Sequence, residues 1–173
     1  MLSDFEQKTG QEIPLIAGGG IYTGEDMYKT MEMGASAVKM GTRFVTTHEC
    51  DAAIEFKNSY INCKKEDIVI IDSPVGLPGR VINNDFVKSL SNGYEKPVKC
   101  PWKCLKTCNY KEVKYCIAQA LFNAAQGKLD EGFSFAGSNA YKAKRIQSVK
   151  EVFNELLDEY KKYELSKVEL EKH

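Results

Sequence analysis

The sequence predicts an α/β fold, in which short parallel strands alternate with helices, and residues 13–44 carry the prediction. Residues 13–16 form an apolar run that leads through Ala17 into three glycines, and Ala37, Val38 and Met40 form a second strand that is followed by Gly41. Short apolar runs of this kind are typical of parallel strands that are buried on both faces. The segment between the two runs has helical spacing, so strand, helix and strand are expected to follow one another.

The predicted helix has clear signals at both of its ends. Thr23 can cap its first turn, and Asp26 stands three residues later, as in a capping box. Gly34 is expected to end the helix, because glycine readily adopts the left-handed conformation that closes many helices. This unit therefore predicts a sheet whose neighbouring strands are parallel.

The glycine turns after the two strands predict a phosphate site. Without Cβ atoms, backbone N–H groups can close on an anion, and the N-terminus of the following helix is expected to favour negative charge. In a (β/α)8 barrel the phosphate site lies after the last two strands. The expected contacts are the backbone N–H groups of the glycines and the Thr42 hydroxyl, at Gly18, Gly19, Gly20, Gly41 and Thr42.

Several motifs along the chain resemble the nitronate monooxygenase family, once called 2-nitropropane dioxygenases. They are IPLIAGGGI, GASAVKMGTRF, SPVGLPGR, CPWKCLKTC and FAGSNAY. The resemblance implies the C-terminal portion of a (β/α)8 TIM-type barrel, at about strands 7 and 8, with a mostly helical C-terminal extension. It also implies FMN as cofactor, with Ser138 as a further contact, and Arg80 in a loop over the barrel mouth.

The activity implied by this resemblance is oxidation of an alkyl nitronate by O2. The family's catalytic histidine lies in a Gly-Gly-His motif that this sequence lacks, so no residue of this chain is predicted to be catalytic. Two alternatives remain open for the activity. One is a flavin-dependent enoyl-ACP reductase, which would use a nicotinamide donor, and the other is a truncated, non-catalytic fragment.

Length and composition limit the possible classes of protein. At 173 residues the chain is shorter than the roughly 250 residues of a complete barrel. We therefore expect it to begin within the barrel and to expose a strand edge that favours self-association.

The formal net charge is zero, which gives no electrostatic reason for binding nucleic acid or an anionic membrane. No apolar run is long enough to cross a membrane, and a cytoplasmic location is expected.

The remainder of the chain is predicted to be mostly helical. Helices are expected from Thr46 to about Lys64, over residues 84–92, 113–126 and from Ser148, with a strand at 68–71 and a loop at 73–80. His48 is expected to be a surface or capping residue. A change in composition near residues 93–97 predicts two parts, a partial FMN-binding barrel over residues 1–93 and a Cys-containing helical extension over residues 94–173.

Four cysteines in the extension match a zinc or iron–sulfur site in number. Their spacing is C-x3-C-x3-C-x7-C, at Cys100, Cys104, Cys108 and Cys116. Zinc knuckles usually have a two-residue gap, which lets backbone N–H groups reach the sulfurs, and this sequence has no such gap. Free thiols are therefore the alternative to a metal site, and Trp102 is expected to be a packing residue.

Overall fold

The computed structural model describes residues 2–95, 98, 100, 103–106 and 108–170. Contacts divide the chain into two compact units. The first unit contains the residues up to Gly41 together with those from Lys150 onward, and the second unit is Thr42–Val149. Among the described helices, none has the length and apolar character that crossing a membrane requires.

The first unit is built around one pair of parallel strands. After α1 (Leu2–Thr9) come β1 (Ile16–Gly18), α2 (Gly24–Glu32) and β2 (Ala37–Lys39), and the unit ends with most of α7 (Val149–Leu170). β1 and β2 pair in parallel, with Ile16 opposite Ala37 and Gly18 opposite Lys39. The predicted strand, helix and parallel strand are confirmed.

The ends of α2 follow the sequence signals. The Thr23 hydroxyl accepts a hydrogen bond from the Asp26 N–H at 3.1 Å, and the Asp26 carboxylate accepts one from the Thr23 N–H at 3.0 Å. This is the predicted capping box. Gly34 has φ +97°, and its N–H donates to the Met31 carbonyl, so the predicted end of the helix is also confirmed.

The predicted burial of the first strand is wrong. Its residues 13–16 were expected to be covered on both faces, yet Ile16 is 63% exposed, and Leu15 and Ile13 are exposed as well. β1 begins only at Ile16, three residues after the start of the apolar run. In the part of the chain that the structure describes, β1 pairs with β2 alone, so little of the strand is covered.

The second unit contains an antiparallel hairpin and four short helices. They are α3 (Thr42–Val45), α4 (Ile54–Asn62), β3 (Ile68–Asp72), β4 (Pro78–Ile82), α5 (Asp85–Ser91) and α6 (Ile117–Ala125). One-turn 3-10 helices at Lys65–Asp67 and Ala140–Lys142 complete the unit. β3 and β4 pair from Ile68 opposite Ile82 to Asp72 opposite Pro78.

One apolar cluster holds the second unit together. It joins β4 to α5 and α6, and its buried members are Val81, Phe86, Val87, Tyr115, Ala120 and Phe133. The Phe86 ring meets the Tyr115 ring edge to face, with centroids 5.5 Å apart. Because this cluster includes residues on both sides of residues 93–97, the contacts do not divide the chain where the sequence suggested.

Three predicted elements of the second unit differ in the structure. The helix expected from Thr46 begins at Ile54 and ends at Asn62, and Glu49, which lies before the observed helix, accepts the Val149 N–H at 3.0 Å. The loop predicted at residues 73–80 is a hairpin turn, because Pro78 already begins β4. Proline tolerates such an edge position at the start of a strand. The helix expected from residue 113 begins at Ile117.

Candidate functional site

The structure brings the two glycine turns of the first unit to the same edge of the parallel sheet. The register of β1 and β2 places Gly18 opposite Lys39, so both strands end at nearly the same level. Gly19 and Gly20 follow one strand, and Gly41 follows the other. This edge of the sheet is the candidate phosphate site.

The glycines at this edge are present for different reasons. Gly19 and Gly20 have φ values of +96° and +75°, which glycine adopts far more readily than other residues. Gly41 is not in this region, and a Cβ atom added there would meet no described atom within 4 Å. Neither backbone strain nor packing within the described protein thus requires glycine at position 41. The space beside Gly19 and Gly41 is open, which fits a phosphate group approaching the backbone.

The N-terminus of α2 does not have the role that the sequence suggested. The Asp26 carboxylate accepts hydrogen bonds from the N–H groups of Tyr22 and Thr23, both at 3.0 Å. A carboxylate oxygen of Glu159 accepts the Gly24 N–H at 2.7 Å. Because two carboxylates already occupy this helix end, it would repel a phosphate group. The expectation that the α2 terminus favours an external anion is therefore wrong, and the glycine turns are left as the candidate.

Two further predicted contacts lie next to each other within the second unit. The Thr42 hydroxyl accepts a hydrogen bond from the Gly137 N–H at 2.9 Å, and Ser138 follows Gly137 directly. A Cβ on Gly137 would come within 2.9 Å of the same hydroxyl oxygen, so a glycine is needed for this approach. The hydroxyl proton of Thr42 can still be donated to another group. The spacing of residues in the sequence did not predict this hydrogen bond between Thr42 and Gly137.

The segment before Ser138 is fixed by β4. The Ala136 N–H donates to the Arg80 carbonyl at 2.9 Å, and the Ile82 N–H donates to the Ser134 carbonyl at 3.2 Å. With the bridge between Val81 and Phe135, these bonds hold the segment against β4. The Arg80 side chain is exposed, and its predicted position over a barrel mouth stays a prediction.

A group of buried polar residues in the second unit was not predicted from the sequence. Arg43 is buried and donates to the Gln147 side-chain oxygen at 3.2 Å, while the buried Lys57 ammonium donates to the Thr47 carbonyl at 2.8 Å. The Tyr60 hydroxyl donates to the Phe135 carbonyl at 2.6 Å, and burial raises its pKa well above the ordinary tyrosine value. The bonds of Arg43 and Tyr60 join residues 104 and 75 positions apart, so spacing within one helix could not reveal them.

His48 lies at the surface, as predicted. Its side chain is exposed, and its backbone N–H donates to the Gln147 carbonyl at 2.8 Å. The expectation that His48 is a surface residue is therefore confirmed.

The four cysteines of the extension line one small cavity in the second unit. The cavity has a volume of about 20 Å³, and its other walls are mainly apolar side chains. All four cysteines are free thiols. Burial raises the pKa of the Cys108 thiol, and the neighbouring cysteines contribute to the same effect. Among the described residues, no three His, Cys, Asp or Glu side chains form a ready-made metal site. Trp102 lies outside the described residues.

Comparisons with known proteins agree with the sequence resemblance. The sequence model of the family described as nitronate monooxygenase matches residues 6–159. A probable nitronate monooxygenase of Staphylococcus saprophyticus is 35% identical over 86 residues, which are 50% of this chain and 24% of that protein. A (3aS,4S,5R,7aS)-5-hydroxy-7a-methyl-1-oxo-octahydro-1H-indene-4-carboxyl-CoA dehydrogenase of Rhodococcus jostii is 36% identical over 81 residues, which are 47% of this chain and 23% of that protein.

A solved structure supports the same relationship over most of the chain. FabK from Thermotoga maritima superposes with a TM-score of 0.72 at 28% identity, covering 92% of this chain and 47% of that protein. The chain thus spans less than half the length of this structure. The similarity supports an α/β fold, and the family match covers most of the sequence. The chain belongs to the nitronate monooxygenase family.

Proposed function

We propose that this chain is the phosphate-binding part of an FMN-dependent oxidoreductase of the nitronate monooxygenase type. In this proposal, β1 and β2 correspond to about strands 7 and 8 of a (β/α)8 barrel. Family membership supports the class of enzyme, and the parallel order of β1, α2 and β2 supports the position in the barrel. The observation that carries the proposal is the pair of glycine turns at one edge of the parallel sheet.

The proposed cradle uses backbone rather than side-chain groups. The N–H groups of Gly18, Gly19, Gly20 and Gly41 would hold the phosphate of FMN. Open space beside Gly19 and Gly41 supports this, since a side chain at position 41 would extend into the space that the phosphate needs. Thr42, which follows Gly41 in the chain, and Ser138 stay predicted contacts of the same cofactor.

The chemistry proposed for the whole enzyme is oxidation of an alkyl nitronate. When bound, FMN supplies the acceptor of electrons from the nitronate and passes them to O2. This chain's residues bind and orient the cofactor through its phosphate. We assign no catalytic residue to this chain, because the family's Gly-Gly-His motif does not occur in its sequence.

A second candidate is a flavin-dependent reductase or dehydrogenase that acts on acyl thioesters, of which the enoyl-ACP reductase type is one form. The relative from Rhodococcus jostii supports it, because its name describes a carboxyl-CoA dehydrogenase. The two candidates differ in their substrates. Nitronate-dependent O2 consumption without a nicotinamide favours the first candidate, and nicotinamide-dependent turnover of an acyl thioester favours the second.

Flavin titration tests the proposal at the level of binding. FMN would be added to this chain and to a version extended to a full barrel, with flavin fluorescence and absorbance as the readouts. We expect saturable FMN binding by the extended version, and O2 consumption when ethyl nitronate is added. His48→Ala is a suitable control, because His48 is exposed and its backbone bond is kept. If neither version takes up FMN, the proposal is wrong and a non-catalytic fragment is favoured.

Location and self-association form a further part of the proposal. The six cysteines are all free thiols, which supports a reducing compartment such as the cytoplasm. The exposed apolar residues of β1 support pairing of this strand with another strand, from a longer chain or from a second copy.

A further inference from the structure

The hydrogen bond between Gly137 and Thr42 carries an inference that deepens the proposed function and rests on it. Thr42 is a predicted contact of FMN, and its hydroxyl accepts the Gly137 N–H at 2.9 Å. The Thr42 side chain is half-buried, and no described residue accepts its hydroxyl proton. A threonine hydroxyl has one proton to donate and two lone pairs. Because the Gly137 N–H occupies one lone pair, the proton points elsewhere and remains available for a ligand.

The position of the Gly137 N–H is fixed by contacts on both sides of it in the chain. Before it, the Phe135 carbonyl accepts the buried Tyr60 hydroxyl at 2.6 Å, and Phe135 also bridges to Val81 of β4. After it, the Ala140 N–H donates to the Gly137 carbonyl at 3.0 Å. The N–H that holds the Thr42 hydroxyl is therefore placed by the fold of the second unit.

Glycine at position 137 is required by the Thr42 side chain and not by the backbone. The φ angle of Gly137 lies outside the left-handed region, so other residues can adopt this conformation. A Cβ added there would lie 2.9 Å from the Thr42 hydroxyl oxygen and 3.6 Å from the Thr42 Cβ. Apart from its chain neighbours, it would meet no other described atom within 4 Å. Alanine would therefore turn the Thr42 hydroxyl away and leave other packing unchanged.

We propose that Gly137 is a positioning residue for phosphate recognition. Its N–H orients the Thr42 hydroxyl, which donates to a phosphate oxygen of FMN. Hydrogen bonds in such a chain strengthen one another, and a bond to a charged acceptor is stronger than one to a neutral group. The direction of the chain, from N–H through O–H to the ligand, suits a group that accepts hydrogen bonds. A phosphate oxygen meets this requirement.

Amide hydrogen exchange tests the bond itself without any flavin. The exchange rate of the Gly137 N–H would be measured by NMR in the full chain and in Thr42→Ala, with circular dichroism to verify that both are folded. We expect this N–H to exchange at least about tenfold more slowly in the unmodified chain, because its hydrogen bond protects it. Equal exchange rates would overturn the proposal, whether or not the chain binds FMN.

The ratio of the riboflavin to the FMN dissociation constant tests recognition of the phosphate. Both flavins would be titrated into the full chain, and into the version extended to a full barrel. Gly137→Ala and Thr42→Ala should each lower this ratio at least about fivefold, as expected when one hydrogen bond to a charged group is lost. The double variant should lower it no further, because both changes remove the same contact. Thr42→Ser keeps the hydroxyl and is the control, with an expected change of less than about twofold.

Failure of this inference and failure of the proposed function give different results. A preference for FMN that survives Gly137→Ala, or additive losses in the double variant, would overturn the role of Gly137 and leave the proposed function intact. No uptake of FMN by either version would contradict the proposed function, and this inference with it. A lowered ratio with unchanged riboflavin affinity supports the inference, since general damage to the fold would weaken the binding of both flavins.

Discussion

The parallel sheet of the first unit and the antiparallel hairpin of the second unit differ greatly in how well they are covered. Ile16 in β1 is 63% exposed, whereas Val81 in β4 is fully buried. The hairpin contributes to an apolar cluster that includes residues from two helices. The comparison teaches that apolar composition does not by itself make a strand part of a core. The second unit has the features of a stable core, while β1 exposes apolar surface and glycine backbone.

Glycines show the same difference between the two regions. A Cβ at Gly132 would collide with the carbonyl oxygen of Ala120 and lie 2.9 Å from the Ala124 nitrogen, both in α6. A Cβ at Gly41 would meet nothing within 4 Å among the described atoms. Gly132 is therefore needed for packing, and Gly41 is available for another role.

The largest expected effect is that of Gly132→Ala. Since the clash is with backbone that cannot rotate away, we expect a loss of about 3 kcal/mol in the free energy of unfolding. Gly41→Ala is the matched control, and it should change this free energy by less than about 0.5 kcal/mol. Urea unfolding followed by circular dichroism measures both. Equal losses in the free energy of unfolding for the two variants would contradict the difference in packing between Gly132 and Gly41.

Threonine substitutions in the two sheets should give a smaller difference. Val81→Thr places a hydroxyl in the apolar cluster, which costs about 1–3 kcal/mol of stability. Ile16→Thr changes an exposed position, so we expect a change within about 0.5 kcal/mol. Thermal and urea unfolding would be compared for both variants. A large loss in the free energy of unfolding for Ile16→Thr would mean that β1 is covered, for example by self-association. Analytical ultracentrifugation would detect such self-association.

Tyr115→Phe should have the smallest effect and the opposite sign. The Tyr115 hydroxyl is buried and has no hydrogen-bond partner among the described residues. Removing an unsatisfied hydroxyl should therefore raise the stability at neutral pH by about 1 kcal/mol. Tyr94→Phe, at an exposed position, is the control and should leave stability unchanged.

The pH dependence gives a second test of Tyr115. Burial raises the pKa of its hydroxyl from 10 to about 12. The folded protein then holds this proton more tightly than the unfolded chain does. The stabilisation linked to it is fully present below pH 10 and is lost as the pH rises through about 12. Tyr115→Phe should make the alkaline loss of stability less steep, and an unchanged slope would contradict burial of the hydroxyl.

The sequence predicted local features well and contacts between distant segments poorly. The α2 capping box and Gly34 depend on residues within one turn, so their spacing was sufficient. The parallel pairing of β1 and β2 followed from a single helix between two apolar runs. The burial of β1 could not be predicted in this way, because it depends on which other strands lie beside it.

The candidate site shows the same limit. Two glycine turns were visible in the sequence, and their common edge follows from the parallel order of the strands. The occupation of the α2 N-terminus by Glu159 depends on a residue 135 positions away. The bond between Gly137 and Thr42 likewise joins segments 95 positions apart. Neither contact leaves a periodic signal in the sequence.

A comparison of FMN with riboflavin tests the phosphate cradle most directly, because the two flavins differ in the phosphate group. Their dissociation constants would be measured with the version extended to a full barrel, for the unmodified sequence and for Gly41→Asp. We predict that the unmodified protein binds FMN at least about tenfold more tightly than riboflavin, a difference of about 1.4 kcal/mol. In Gly41→Asp the added carboxylate should remove this preference and leave riboflavin affinity unchanged. Equal affinity for both flavins in the unmodified protein, or a preference for FMN that survives Gly41→Asp, would contradict the cradle.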